Sequence, residues 1–112
     1  MSTPMHTIKQ GDTLPKLAFT LKGADGAVQN LTGATVRFSM SDFDTGVVII
    51  DRAACTVDVD PTTGSGYYTW TVQDTAVAGR YKGEIEVSFP GSNIMTFPND
   101  GNIIIRIVAE IA

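Results

Sequence analysis

The sequence predicts a single all-β domain, an immunoglobulin-like β-sandwich of about seven to nine antiparallel strands. Two observations lead there. Apolar and polar residues alternate strictly over several short stretches, which is the pattern of strands with one face on a core. Clusters of Gly, Asp, Asn and Pro separate those stretches at the spacing of a sandwich or barrel. No long helical pattern, internal repeat or low-complexity tract competes with this reading.

The elements follow in chain order. Residues 1–7 read as an arm that is flexible or that orders on a partner, because chain ends fray unless something ties them down. Leu17-Phe19-Leu21 alternates, and Gly23-Ala24-Asp25-Gly26 then turns the chain. After Leu31-Thr32-Gly33, Val36-Phe38-Met40 forms a second alternating set. The loop Asp42 to Gly46 leads into Val47-Val48-Ile49-Ile50, a short strand with no polar side. Cys55, Val57 and Val59 share one face, with Asp58 and Asp60 outward on the same strand. Beyond the turn Asp60-Pro61-Thr62-Thr63-Gly64, Tyr68, Trp70 and Val72 point to the core. Asp74 to Gly79 breaks the alternation; a capping Asp, a short run and a closing Gly predict one helical turn.

The clearest strand is Arg80 to Phe89. Tyr81, Gly83, Ile85, Val87 and Phe89 fall on one side, and Arg80, Lys82, Glu84, Glu86 and Ser88 on the other. A helix would scatter those charges around its circumference. After the turns at Pro90 to Asn93 and Pro98 to Gly101, the last strand runs from Asn102 to Ile111. Ile103, Ile105, Ile107, Ala109 and Ile111 line one face, and Ile104, Arg106, Val108 and Glu110 the other. The predicted core gathers Trp70, Tyr81, Ile85, Val87, Phe38 and Phe19.

Size and charge narrow the function. A chain of 112 residues suits one domain, taken as residues 1–112, with about two-thirds of its unfolded surface buried. The net charge is −4, and eight Lys and Arg are spread singly along the chain, so no clustered basic face and no nucleic-acid partner are expected. Neither a signal peptide nor a window of about 20 apolar residues is present, so no membrane partner is expected.

Chemistry is sparse. Cys55 is the only cysteine, which excludes an intrachain disulfide, and it reads as a small buried hydrophobe. His6 is the only histidine and lies in the predicted arm, away from any Ser-His-Asp or Cys-His arrangement. One Cys and one His fall short of a zinc site. Gly64-Ser65-Gly66 is followed by no helix that could hold a phosphate. The pairs Asp42/Asp44 and Asp58/Asp60 read as turn and surface chemistry, lacking the spacing of a calcium loop. No catalytic residue, cofactor or metal is expected, and the chain is not read as an enzyme.

Two resemblances are carried by specific residues. Asp74, Gly79, Tyr81 and Gly83 look like the corner before the F strand of immunoglobulin-like domains, in which a Tyr hydroxyl folds back onto the backbone. Gly83 stands where true immunoglobulins have a Cys. The second resemblance spans nearly the whole chain. Ile8-Lys9-Gln10-Gly11-Asp12-Thr13-Leu14-Pro15 is similar to the start of the N-terminal domain of bacteriophage baseplate upper proteins. It continues at Leu31 to Phe38, Gly66 to Trp70 with Asp74-Thr75, Ala78 to Glu84, and Thr96 to Gly101.

This resemblance implies a non-enzymatic virion component, made in the host bacterial cytoplasm, in the tail or baseplate of a phage. It implies other virion proteins as partners and repeated copies in a symmetric assembly. Ala112 follows directly on the last strand, so a stand-alone subunit that decorates the head or connects head and tail is an alternative. A carbohydrate-binding module on the host surface is another, with Tyr67 and Phe43 as its exposed aromatics. Ile104 and Val108 exceed what one core face needs, and they mark a predicted subunit contact with Met5 and Ile8 as companions.

Overall fold

The computed structural model describes residues 5–98 and 103–111. Among these described residues, nine strands form two packed sheets, a β-sandwich: β1 (Met5–Lys9), β2 (Leu17–Thr20), β3 (Thr35–Asp42), β4 (Val48–Ala54), β5 (Thr56–Val57), β6 (Ser65–Tyr68), β7 (Gly79–Phe89), β8 (Asn93–Phe97) and β9 (Ile103–Val108). Sheet A runs β1-β9-β7-β3-β4, with β8 also paired to β7; sheet B runs β2-β6-β5.

β7 is the spine of sheet A. It pairs antiparallel with β3 along Tyr81 to Ser88, and with β9 and then β8 on its other side. Its alternation puts Tyr81, Gly83, Ile85 and Val87 inward. Phe38, Trp70, Tyr81, Ile85 and Val87 are all buried, whereas Phe19 is half-buried and packs at the margin of the core. The aromatic centre is tight: the Phe38 and Tyr68 ring centroids lie 5.0 Å apart, and Trp70 meets Phe38 and Tyr68 edge-on at 5.7 and 5.3 Å. Edge-on geometry sets the positive rim of one ring against the negative face of the next. Gly83 makes this packing possible, because a Cβ there would sit 2.8 Å from the Phe38 ring.

Several expectations are corrected. Residues 5–7 belong to β1, which lies parallel to β9 with Met5 opposite Ile104 and Ile8 opposite Ile107. Sheet A is therefore mixed rather than wholly antiparallel. Its parallel partner is nearly a chain length away, which local alternation cannot reveal. The rest of the arm lies outside the described residues. The start of the chain is tied down further: the Gln10 amide donates to the Val108 carbonyl, and the buried Thr75 hydroxyl donates to the Asp12 carbonyl at 2.9 Å.

β4 is longer than expected and starts at Val48. Only Ile50 is buried on it, because β4 is a sheet edge whose register shifts at bulges against β3. β5 ends at Val57, so Val59 is fully exposed, and Asp58 and Asp60 sit in the following loop. Val72 lies in a turn and is exposed. The predicted helical turn at Asp74 to Gly79 is instead a pair of tight turns, closed by the Asp74 amide on the Thr71 carbonyl and the Ala76 amide on that of Gln73. A short 3-10 turn occurs elsewhere, at Pro61–Thr63. β9 stops at Val108, which leaves Ile111 exposed. β8 went unpredicted because Asn93 to Phe97 does not alternate; only Phe97 is buried.

The tyrosine corner is present. The Tyr81 hydroxyl donates to the Val77 carbonyl at 2.7 Å, and burial raises its pKa above the ordinary phenol value. Asp74 anchors the same corner, accepting from the Tyr68 hydroxyl at 2.6 Å and the Thr71 amide at 2.9 Å.

Candidate docking surface

The reactive groups are occupied structurally. Burial pushes the Cys55 thiol up to about 12, so at neutral pH it carries almost no thiolate. His6 stacks on Trp70 with centroids 5.7 Å apart. His6 also hydrogen-bonds the Pro15 backbone, and its buried Nε2 has no hydrogen-bond partner among the described residues. Desolvation lowers the pKa of His6 and favours the neutral ring. His6 is thus a wedge at the core margin rather than a group in a loose arm.

The aspartates organise turns. Asp42 Oδ1 accepts from the Asp44 and Thr45 amides, which lowers its pKa. Asp60 Oδ1 accepts from the Thr62 amide and hydroxyl, with the same result. Among the described residues, no three His, Cys, Asp or Glu side chains converge as a metal ion would require. Gly64 closes the 3-10 turn in the left-handed region, and Gly66 lies under the Phe19 ring, so the Gly-Ser-Gly stretch serves backbone geometry. The aromatics expected to be exposed are half-buried and capped by cations: Lys16 Nζ lies 4.3 Å from the Tyr67 centroid, and the Arg80 guanidinium 4.0 Å from that of Phe43.

What remains is the outward face of sheet A. Pairing aligns Met5, Ile104, Lys82, Ser41 and Val48 in one row across five strands. Ile104 is half-buried in that row, and Met5 is 67% exposed at its end. The next outward position of β9 pairs Arg106 with Arg80, and the one beyond sets Val108 opposite Lys9. Ser39 and Ser41 are small, and with Val48, Lys82 and Glu84 they frame a shallow depression of about 280 Å³.

Three of the four predicted contact residues therefore share one face. Ile8 does not, being 2% exposed and pointing into the core beside Ile107. An arm was expected to present both Met5 and Ile8, but in a strand, residues three apart face opposite ways. Sequence reading also missed the clustering of Lys9, Arg80, Lys82 and Arg106. Scattered along the chain, they are collected by the register of β1, β9 and β7.

The sequence model of the BppU N-terminal domain matches residues 2–98. The chain belongs to this family of baseplate upper protein N-terminal domains. A BppU N-terminal domain is a structural domain of the phage baseplate, so this chain is a baseplate-associated structural protein and a virion component that meets other virion proteins. No curated protein matches the chain. For a BppU N-terminal domain, the surface chemistry that matters is that of protein contact.

Proposed function

We propose that this domain is a non-enzymatic subunit of the phage tail baseplate. It docks onto neighbouring virion proteins through the outward face of β1 and β9. The observation that carries the reading is Ile104, an apolar side chain on an outward position, with Met5 opposite it and Val108 further along the same face. Water-facing strand positions ordinarily carry polar residues. β1 is also a sheet edge, whose unpaired backbone groups favour cover by a neighbour. A glycan-binding role is disfavoured because cations occupy the faces of Tyr67 and Phe43 that a sugar ring would need.

The test is the composition of purified particles, followed by a map of the particle. Density for this fold in the baseplate supports the proposal. Density at the head or neck would replace it with the accessory-subunit reading. Absence of the chain from particles would remove the structural role.

A further inference from the structure

We propose that the outward face of sheet A receives the Asp58-Val59-Asp60 loop of a second copy of this chain, head to tail. This rests on the docking reading above and names the neighbour.

The first argument is charge. Lys9, Arg37, Arg80, Lys82 and Arg106 occupy outward positions of sheet A, and Arg52 reaches onto the same face to meet Glu86 at 2.7 Å. Glu84 and Glu86 are the carboxylates at outward positions of β7; Asp42 closes β3, and Asp51 precedes Arg52 on β4. Only Lys16 and Lys22 among the cations lie elsewhere, so the remainder of a chain of net charge −4 is strongly acidic. One copy is therefore basic on one face and acidic over the rest of its surface. Arg80 and Arg106 stand directly opposite each other across two strands, an arrangement that destabilises an uncovered sheet. Arg80 meets the Asp44 carboxylate at 4.0 Å, and both groups are largely exposed. A carboxylate brought to this pair of positions from outside would offset the two positive charges.

The second argument is the shape of the occupant. Val59 is 100% exposed, with an aspartate on either side. The loop is pre-ordered: Asp58 Oδ1 accepts from the Asp60 amide, and Asp60 Oδ1 from Thr62. Each aspartate uses one oxygen in these bonds and remains exposed. An apolar tip between two carboxylates complements the apolar pair Met5 and Ile104 beside Lys82 and the paired arginines. The loop follows β5 of sheet B, so knob and socket are separate patches of one copy and the contact is heterologous. Repeated, such a contact builds a ring or a filament. Face-to-face pairing of two basic surfaces is opposed by their charge.

The experiment is a sedimentation series on the wild-type chain at low ionic strength, where attraction between exposed charges is least screened. Wild type is expected to associate with rising concentration and to dissociate in salt. Asp58→Asn with Asp60→Asn keeps the turn-forming oxygens, and Arg80→Gln with Arg106→Gln leaves the core untouched. Each double variant alone should associate at least about tenfold more weakly, equal to about 1.4 kcal/mol. An equimolar mixture of the two should form a one-to-one dimer and nothing larger, because only one knob and one socket remain. A wild-type chain that stays monomeric at its solubility limit overturns the inference, as does association that neither variant weakens. Binding of duplex DNA by wild type without self-association would also overturn it. Incorporation of such a monomeric chain into particles would leave the docking reading standing.

Discussion

β7 and β9 lie side by side in sheet A and treat their two faces differently. Inward they are alike, with Tyr81, Ile85 and Val87 on β7 and Ile103, Ile105 and Ile107 on β9, all buried. Outward, β7 carries Arg80, Lys82, Glu84, Glu86 and Ser88, while β9 carries Ile104, Arg106 and Val108. On each face the two strands meet the same surroundings in the isolated domain, core inward and water outward. The core accounts for the inward residues of both strands, and water accounts for the outward residues of β7. Neither accounts for Ile104 and Val108, which is why the proposed contact is placed on them. Substitutions inside should therefore cost stability, and substitutions outside should cost assembly.

Trp70→Ala is the largest test of the inward half. It removes an indole that contacts Phe38, Tyr68 and His6, and should cost ~3–5 kcal/mol in denaturant unfolding. A loss below about 1 kcal/mol would mean that the core is not organised around this ring.

Gly83→Ala comes next. The added Cβ would press against a Phe38 ring that is itself fully buried, and overpacking of this kind costs ~1–3 kcal/mol. An unchanged unfolding midpoint would show that the β3–β7 contact is looser than its geometry. This glycine stands where immunoglobulins place a cysteine, and here close packing of an aromatic ring replaces the covalent link.

The third test is pH. Burial against Trp70 lowers the pKa of His6 below its ordinary 6.5, so the unfolded chain takes up the proton first as pH falls. The contribution of neutral His6 is complete above pH 6.5 and is lost as pH falls through that value toward the folded pKa. Unfolding midpoints should drop between about pH 7 and about pH 5, and the drop should shrink in His6→Gln. An equal drop in both proteins would assign the effect to other groups.

These comparisons also explain what the sequence could reveal. The core of β3 and β7 was legible because alternation is local: Val36, Phe38 and Met40, or Tyr81 to Val87, announce their face within a few residues. The tyrosine corner was legible for the same reason, being four residues from donor to acceptor. β1 was not, because its strand character depends on a parallel partner contributed by the far end of the chain. His6 was misplaced with it. Half of the candidate surface was legible as an excess of apolar residues on β9. Its charged half was not, since Lys9, Arg80 and Arg106 become neighbours only through register.

The smallest expected effect on stability is the most informative about the outward half. Ile104→Lys places a long, amphipathic side chain at an outward position between Met5 and Lys82. Its methylene stem can lie along the sheet while the ammonium reaches water, so unfolding should shift by no more than about 1 kcal/mol. The new charge joins Lys82, Arg80 and Arg106, which sharpens repulsion on a face that already lacks enough carboxylates. Any neighbour whose apolar tip rests on Ile104 would then have to bury an ammonium, and desolvating that charge outweighs the attraction between two apolar side chains. The expected outcome is a folded domain, with native Trp70 fluorescence, that no longer enters particles; Val108→Lys should act in the same direction. Normal incorporation of both variants would show that the outward face of β9 is ordinary surface, and the contrast between β7 and β9 would then carry no functional meaning.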